Sequence, residues 1–97
     1  MERAEGETRQ RLDKWLWHVR LQPTRSQAAG FIREGYARLN GQRVLDPAKS
    51  VKIGDVLTLA LHSRTAVVRV RALLPARAGA PVALTAYEPV ETGSPAV

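Results

Sequence analysis

The sequence predicts an α+β domain in which two short N-terminal helices precede a small sheet. Three observations predict it. Apolar residues recur with helical spacing over residues 12–32, the period changes to two after Gly35, and Asn40-Gly41 stands between two alternating runs as a hairpin signal.

The first helix is expected over residues 12–20. Leu12, Trp15, Leu16 and Val19 recur at i, i+3, i+4 and i+7, which stacks them into one buried stripe. Arg11, Lys14 and His18 fall on a second stripe, away from the apolar one. Pro23 closes the linker. Thr24 and Gln27 then have capping-box spacing, so a second helix is expected over residues 25–34, with Ala28, Phe31 and Ile32 on its core face. Gly35 stands where a left-handed cap ends such a helix.

Ala37 and Leu39 alternate with Tyr36 and Arg38, and the chain returns through Gln42-Arg43-Val44. Asp46-Pro47 and Gly54-Asp55 mark turns. Strands are expected over 56–61, 65–74 and 82–87, with a surface loop from Pro75 to Pro81. The folded domain is expected over residues 10–88 with its core motif at 11–55, between a flexible leader (1–9) and a flexible tail (89–97).

Ninety-seven residues make one small domain with a modest core. Its formal net charge of +6 is unevenly distributed. Residues 9–52 hold ten Lys/Arg against three acids, while the remainder is close to neutral. A single-sign segment of this kind attracts an anionic polymer and points to nucleic acid. Arginine outnumbers lysine twelve to three, which suits bidentate phosphate contacts; a GC-rich genome gives the same bias.

The absence of cysteine excludes a disulfide framework, a thiol nucleophile and thiolate metal sites. No apolar run reaches the roughly 18 residues of a membrane span. The acidic, polar start is unlike a signal peptide, so the cytoplasm is the expected compartment. His18 and His62 lie in different elements without metal-ligand spacing; His62 is expected in a solvated turn and His18 on the basic face. No glycine-rich phosphate loop and no pair of carboxylates with a plausible cleft is present, so no catalytic residue, metal or cofactor is expected.

Candidate RNA contacts follow from charge and placement. The first turn of the second helix leaves backbone N–H groups unpaired and carries the positive end of the dipole. Arg25 and Ser26 sit there, after Thr24, and Arg11, Lys14 and Arg20 come from the neighbouring helix. Asp13, a lone carboxylate among arginines, is expected to orient them rather than transfer protons. Arg38 should point away from the core. Asn40 serves turn geometry first and RNA only additionally. Arg33 and Lys52 either extend the patch or are solvated surface charges. Trp17, off the apolar stripe, either stacks a base or packs on later strands, and packing is favoured.

These residues resemble the S4 RNA-binding domain family. The matching pattern is Arg11-Leu12-Asp13-Lys14-x-Leu16, Arg20, Thr24-Arg25-Ser26-x-Ala28, Ile32, Gly35, Arg38-Leu39-Asn40-Gly41 and Val51-Lys52-x-Gly54-Asp55. The opening R-L-D-K-W-L-W looks most like the fifteen-kilodalton bacterial heat-shock subfamily. The resemblance implies an αL motif, two packed helices on a mostly antiparallel sheet. It implies a non-enzymatic protein that binds ribosomal RNA on the free large ribosomal subunit while a nascent chain is still attached to tRNA; a monomer is expected when free. It places the RNA face at Arg11, Asp13, Lys14, Arg20, Thr24, Arg25, Ser26, Gln27, Arg38 and Asn40. Relatives often carry a long basic C-terminal extension, whereas residues 89–97 hold one charge, Glu91. Two other readings stay open: an RNA-targeting domain serving an RNA-modifying enzyme in trans, and a basic protein–protein adaptor.

Overall fold

The computed structural model describes residues 8–90; most of the expected leader and tail, residues 1–7 and 91–97, lies outside them. The elements in chain order are β1 (Gln10–Arg11), α1 (Leu12–His18), α2 (Arg25–Arg33), β2 (Ala37–Leu39), β3 (Gln42–Val44), β4 (Ser50–Val51), β5 (Val56–Ala60), β6 (Thr65–Val70), α3 (Ala80–Ala83), a 3-10 turn (Leu84–Ala86) and β7 (Tyr87–Pro89). Five strands form one antiparallel sheet in the order β3-β2-β5-β6-β7, and β1 pairs with β4 in a separate two-stranded ladder.

The apolar stripe of α1 is the centre of the core. Leu12, Trp15 and Leu16 are fully buried, with Val19 beside them, against Ala28 and Ile32 of α2 and against Ala37, Leu57, Leu59, Val68 and Val70 of the sheet. Alternation along the strands gives the sheet one face under this core and one face open to solvent.

The local signals act as their chemistry requires. Thr24 Oγ1 accepts the Gln27 N–H at 3.0 Å, and its hydroxyl donates to Gln27 Oε1 at 3.3 Å. Gly35 adopts φ +88°. Its N–H bonds Ile32 O while Tyr36 N–H bonds Phe31 O, and the Tyr36 and Phe31 rings meet at 5.7 Å. That is a Schellman ending with its apolar contact. Asn40 and Gly41 both take positive φ, +50° and +87°, as a type I′ hairpin demands.

Four expectations are corrected. First, α1 ends at His18, two residues early, because Arg20 turns to φ +65° and Leu21 and Gln22 close back on Leu16 O. Second, His18 is not on a basic surface. It is 2% exposed, and its Nδ1 donates to Leu74 O at 2.8 Å; a carbonyl only accepts, so Nδ1 carries the proton. The cause is a strap of residues 71–79 laid along α1. Trp15 Nε1 donates to Ala72 O, Gln10 Nε2 to Leu74 O, and Arg77 to Trp17 O. Trp17 packs under this strap, with the Arg77 guanidinium 5.8 Å from its ring.

Third, the strand expected over 65–74 stops at Val70, where the strap begins. Fourth, residues 82–86 are not a strand, and only Tyr87 of the expected 82–87 strand falls in β7. Pro81 falls in the first turn of α3, where its fixed φ and missing N–H cost nothing, and a 3-10 turn follows. Ala83 and Ala86 are the buried positions, three apart, while Val82 and Leu84 are exposed. Pro89 and Val90 still pair with the sheet, opposite Val68 and through Val67 O.

Candidate nucleic-acid interface

The β1–β4 ladder sets the N-terminal end of α1. Gln10 faces Val51 and Arg11 faces Ser50. The ladder continues as Leu12 N–H bonds Lys49 O at 2.8 Å and Asp13 N–H bonds Pro47 O at 3.1 Å. The first donors of α1 are thus satisfied by backbone. Asp13 is buried (3% exposed) at this corner. Its two oxygens take a bidentate fork from Arg11, Nε to Oδ1 at 3.1 Å and a terminal nitrogen to Oδ2 at 2.9 Å. The Arg25 guanidinium stands 3.9 Å from Oδ1.

Asp13 raises the pKa of Arg11 further, first through the hydrogen bonds and then through charge attraction. More useful is the geometry: a buried carboxylate fixes the plane of a half-exposed guanidinium, leaving its outer edge to solvent.

One groove collects these groups. It is lined by Arg9, Gln10, Arg11, Lys14, Arg25 and Ser50. Four of the six side chains are cationic, and the positive end of the α2 dipole lies at the Arg25 end. A second groove shares Arg9 and Ser50 and continues past Val51 and Lys52 to Asp55. A third, at the β3 edge, runs along Asn40, Arg43 and Lys49.

Asn40 and Asp55 join the hairpin to this surface. Asn40 Nδ2 donates to Asp55 Oδ1 at 3.1 Å and its Oδ1 accepts Val56 N–H at 2.9 Å, so both ends of the amide are committed to architecture. Burial alone would raise the Asp55 carboxyl pKa. Hydrogen bonds from Lys52 N–H, Asn40 and Lys52 Nζ outweigh it and hold the group below its ordinary value. A depressed folded pKa contributes stability that is complete above the unfolded value and lost as pH falls through the folded one. Melting temperature should therefore decline below about pH 4, and Asp55→Asn should flatten that decline. Parallel acid limbs in the two proteins would contradict the assignment.

The expected site residues divide accordingly. Arg11, Lys14 and Arg25 line one groove, with Asp13 beneath. Thr24 and Gln27 form the cap of α2, and Ser26 is exposed in its first turn. Arg20 lies past the far end of α1, bonded to Ala78 O, and Arg33 lies at the far end of α2. Arg38 emerges from the open face of the sheet, opposite buried Ala37. The groove also takes in Arg9 and Ser50, which lie outside the expected site. Arg9 falls in the expected leader, and a two-residue ladder is too short to leave a periodic signal.

Among the described residues, no cluster of three His, Asp or Glu could hold a metal, and no helix is long and apolar enough to cross a membrane.

Two helices on an antiparallel sheet, with cations gathered at their N-terminal corner, define the class: residues 10–57 match the S4 domain family. The chain is 40% identical over 88 residues to a heat shock protein 15 homolog from Aeromonas salmonicida, covering 91% of this chain and 66% of the relative. It is 40% identical over 78 residues to heat shock protein 15 of Escherichia coli K12, covering 80% and 58%. The fold superposes on the trimeric structure of Vibrio cholerae heat shock protein 15 with a TM-score of 0.80 at 38% identity, covering 84% of this chain and 82% of that one. The chain belongs to the heat shock protein 15 family of S4-domain proteins. It spans about three-fifths to two-thirds of the length of these curated relatives.

Proposed function

We propose that this protein binds structured ribosomal RNA on the free large ribosomal subunit, when a nascent chain is still attached to tRNA there, and assists recycling of that subunit. One observation carries the RNA-binding part: Arg9, Arg11, Lys14 and Arg25 converge on one groove over the buried Asp13 carboxylate. Asp13 holds the Arg11 guanidinium directly and stands 3.9 Å from that of Arg25, an arrangement that suits reading of phosphate positions rather than base edges. Side chains cannot enter the deep major groove of A-form RNA, so a rigid cationic surface reads its shape. Membership in the heat shock protein 15 family supports the ribosomal assignment. In this reading the protein is non-enzymatic, takes no cofactor, and is a cytoplasmic monomer when free.

A sucrose-gradient profile of a lysate tests the particle. The protein should sediment with free large subunits, and more of it should do so when nascent chains are stalled. Sedimentation with small subunits, or at the top of the gradient under both conditions, would contradict the proposal.

A further inference from the structure

The ladder that carries Arg9 and Arg11 to the groove is short. β1 and β4 pair over two residues each, and a two-stranded ladder holds little stability of its own. Alternation sorts its side chains. Gln10 and Val51 are partners and both are buried, whereas Arg11 and Ser50 are partners and both are exposed. Arg9, one residue before Gln10, is exposed as well and lines the same groove. The Gln10 side chain therefore runs inward between two arginines that run outward.

What Gln10 meets inside is the strap. Its Nε2 donates to Leu74 O at 3.0 Å. The same carbonyl accepts the His18 Nδ1 proton at 2.8 Å, so it receives one donor from the ladder and one from the last residue of α1. On either side of Leu74 the strap is tied to that helix. Trp15 Nε1 donates to Ala72 O at 2.9 Å, Arg77 donates to Trp17 O at 2.7 Å, and Ala78 N–H donates to His18 O at 3.2 Å. Leu74 O is thus a fixed point against which β1 can be set.

We infer that Gln10 is a positioning residue for RNA binding: its bond to Leu74 O holds β1 against the strap and so aims Arg9 and Arg11 into the groove. This rests on the RNA-binding reading above and deepens it. The strap lies beyond residues 10–57, which match the S4 domain, so the aim of two groove cations depends on a segment outside the matched domain. Loosening the bond leaves both cations in place but widens the range of directions they sample. Each phosphate contact then costs more ordering entropy, while the number of contacts stays the same.

The test uses the full chain and ribosomal RNA extracted from purified large subunits. Gln10→Met keeps the length of the side chain and removes the donor. Leu74 O keeps His18, so no carbonyl is orphaned, and the variant should melt within about 8 °C of wild type. Affinity per folded molecule should fall about fivefold. The salt slope should stay within about half a unit of wild type, because the same phosphates are neutralised. Arg25→Ala, which deletes a contact, should instead make the slope shallower by about one. Gln10→Asn keeps the amide but is one methylene too short for Leu74 O, so it should behave as Gln10→Met does. Wild-type affinity per folded molecule in either Gln10 variant, with Arg25→Ala weakened, would overturn the positioning role and leave the RNA reading intact. Wild-type affinity in Arg25→Ala as well would overturn the RNA reading itself. A Gln10 variant with a slope as shallow as that of Arg25→Ala would make Gln10 a direct contact, and failure of both variants to fold would make it a residue of the fold alone; either result overturns the inference.

Discussion

Trp15→Ala is expected to cost about 3–5 kcal/mol of stability. Trp15 is fully buried and is the largest of the fully buried side chains. It touches every layer: α1 carries it, its indole N–H donates to Ala72 O of the strap at 2.9 Å, and the edge of Tyr87 meets it at 6.3 Å. The substitution opens a cavity at the junction of helix, strap and last strand, and it also removes the indole donor from a partly buried carbonyl. A domain this size holds only about 5–15 kcal/mol in total, so the variant should be partly unfolded at physiological temperature. Each kcal/mol corresponds to about 4–8 °C in a domain of up to 100 residues. A melt within two degrees of wild type would show that the indole is not the keystone described. Trp15→Phe should fall between the two.

Asp13→Asn is expected to weaken RNA binding about tenfold, although it raises the net charge. The two views of the site separate here. If only total charge matters, deleting an acid beside Arg11 and Arg25 should strengthen binding to a polyanion. If arrangement matters, the amide fails. Asn has one acceptor oxygen where the carboxylate has two, and its NH2 group confronts the Arg11 fork. The guanidinium then loses its fixed plane, and the groove loses its spacing. Asparagine is nearly isosteric, so packing at this corner should be largely preserved. Binding to extracted ribosomal RNA at constant salt decides the matter, and tighter binding by Asp13→Asn would refute the arrangement.

The parts of the fold that obey a short-range rule were legible in the sequence. The Leu12, Trp15, Leu16 and Val19 stripe is buried as its spacing requires. Thr24 caps α2, and Gly35 and Asn40-Gly41 adopt the positive φ that their turns need. What stayed hidden depends on distant pairing. The strap of residues 71–79 has no periodicity, yet it buries His18 and turns an apparent basic-face residue into a structural one. The β1–β4 ladder joins two dipeptides some forty residues apart, and it draws Arg9 and Ser50 into the groove. The strand expected over 82–87 gave way to a helical turn that opens at Pro81. For the site, charge counting located the cationic segment but could not show which of its residues share a groove. Arg20, Arg33 and Arg38 share the segment with Arg11, Lys14 and Arg25 but leave it in other directions.

The most direct measurement is the affinity of the full chain for large-subunit ribosomal RNA across a salt series, for wild type and Arg25→Ala. With about five phosphates neutralised, log K should fall against log salt with a slope of about −3 to −5. Arg25→Ala should bind more weakly at every salt concentration, with a slope shallower by about one. A wild-type affinity that persists unchanged into high salt, or identical curves for the two proteins, would contradict a phosphate-gripping groove at the helix N-termini.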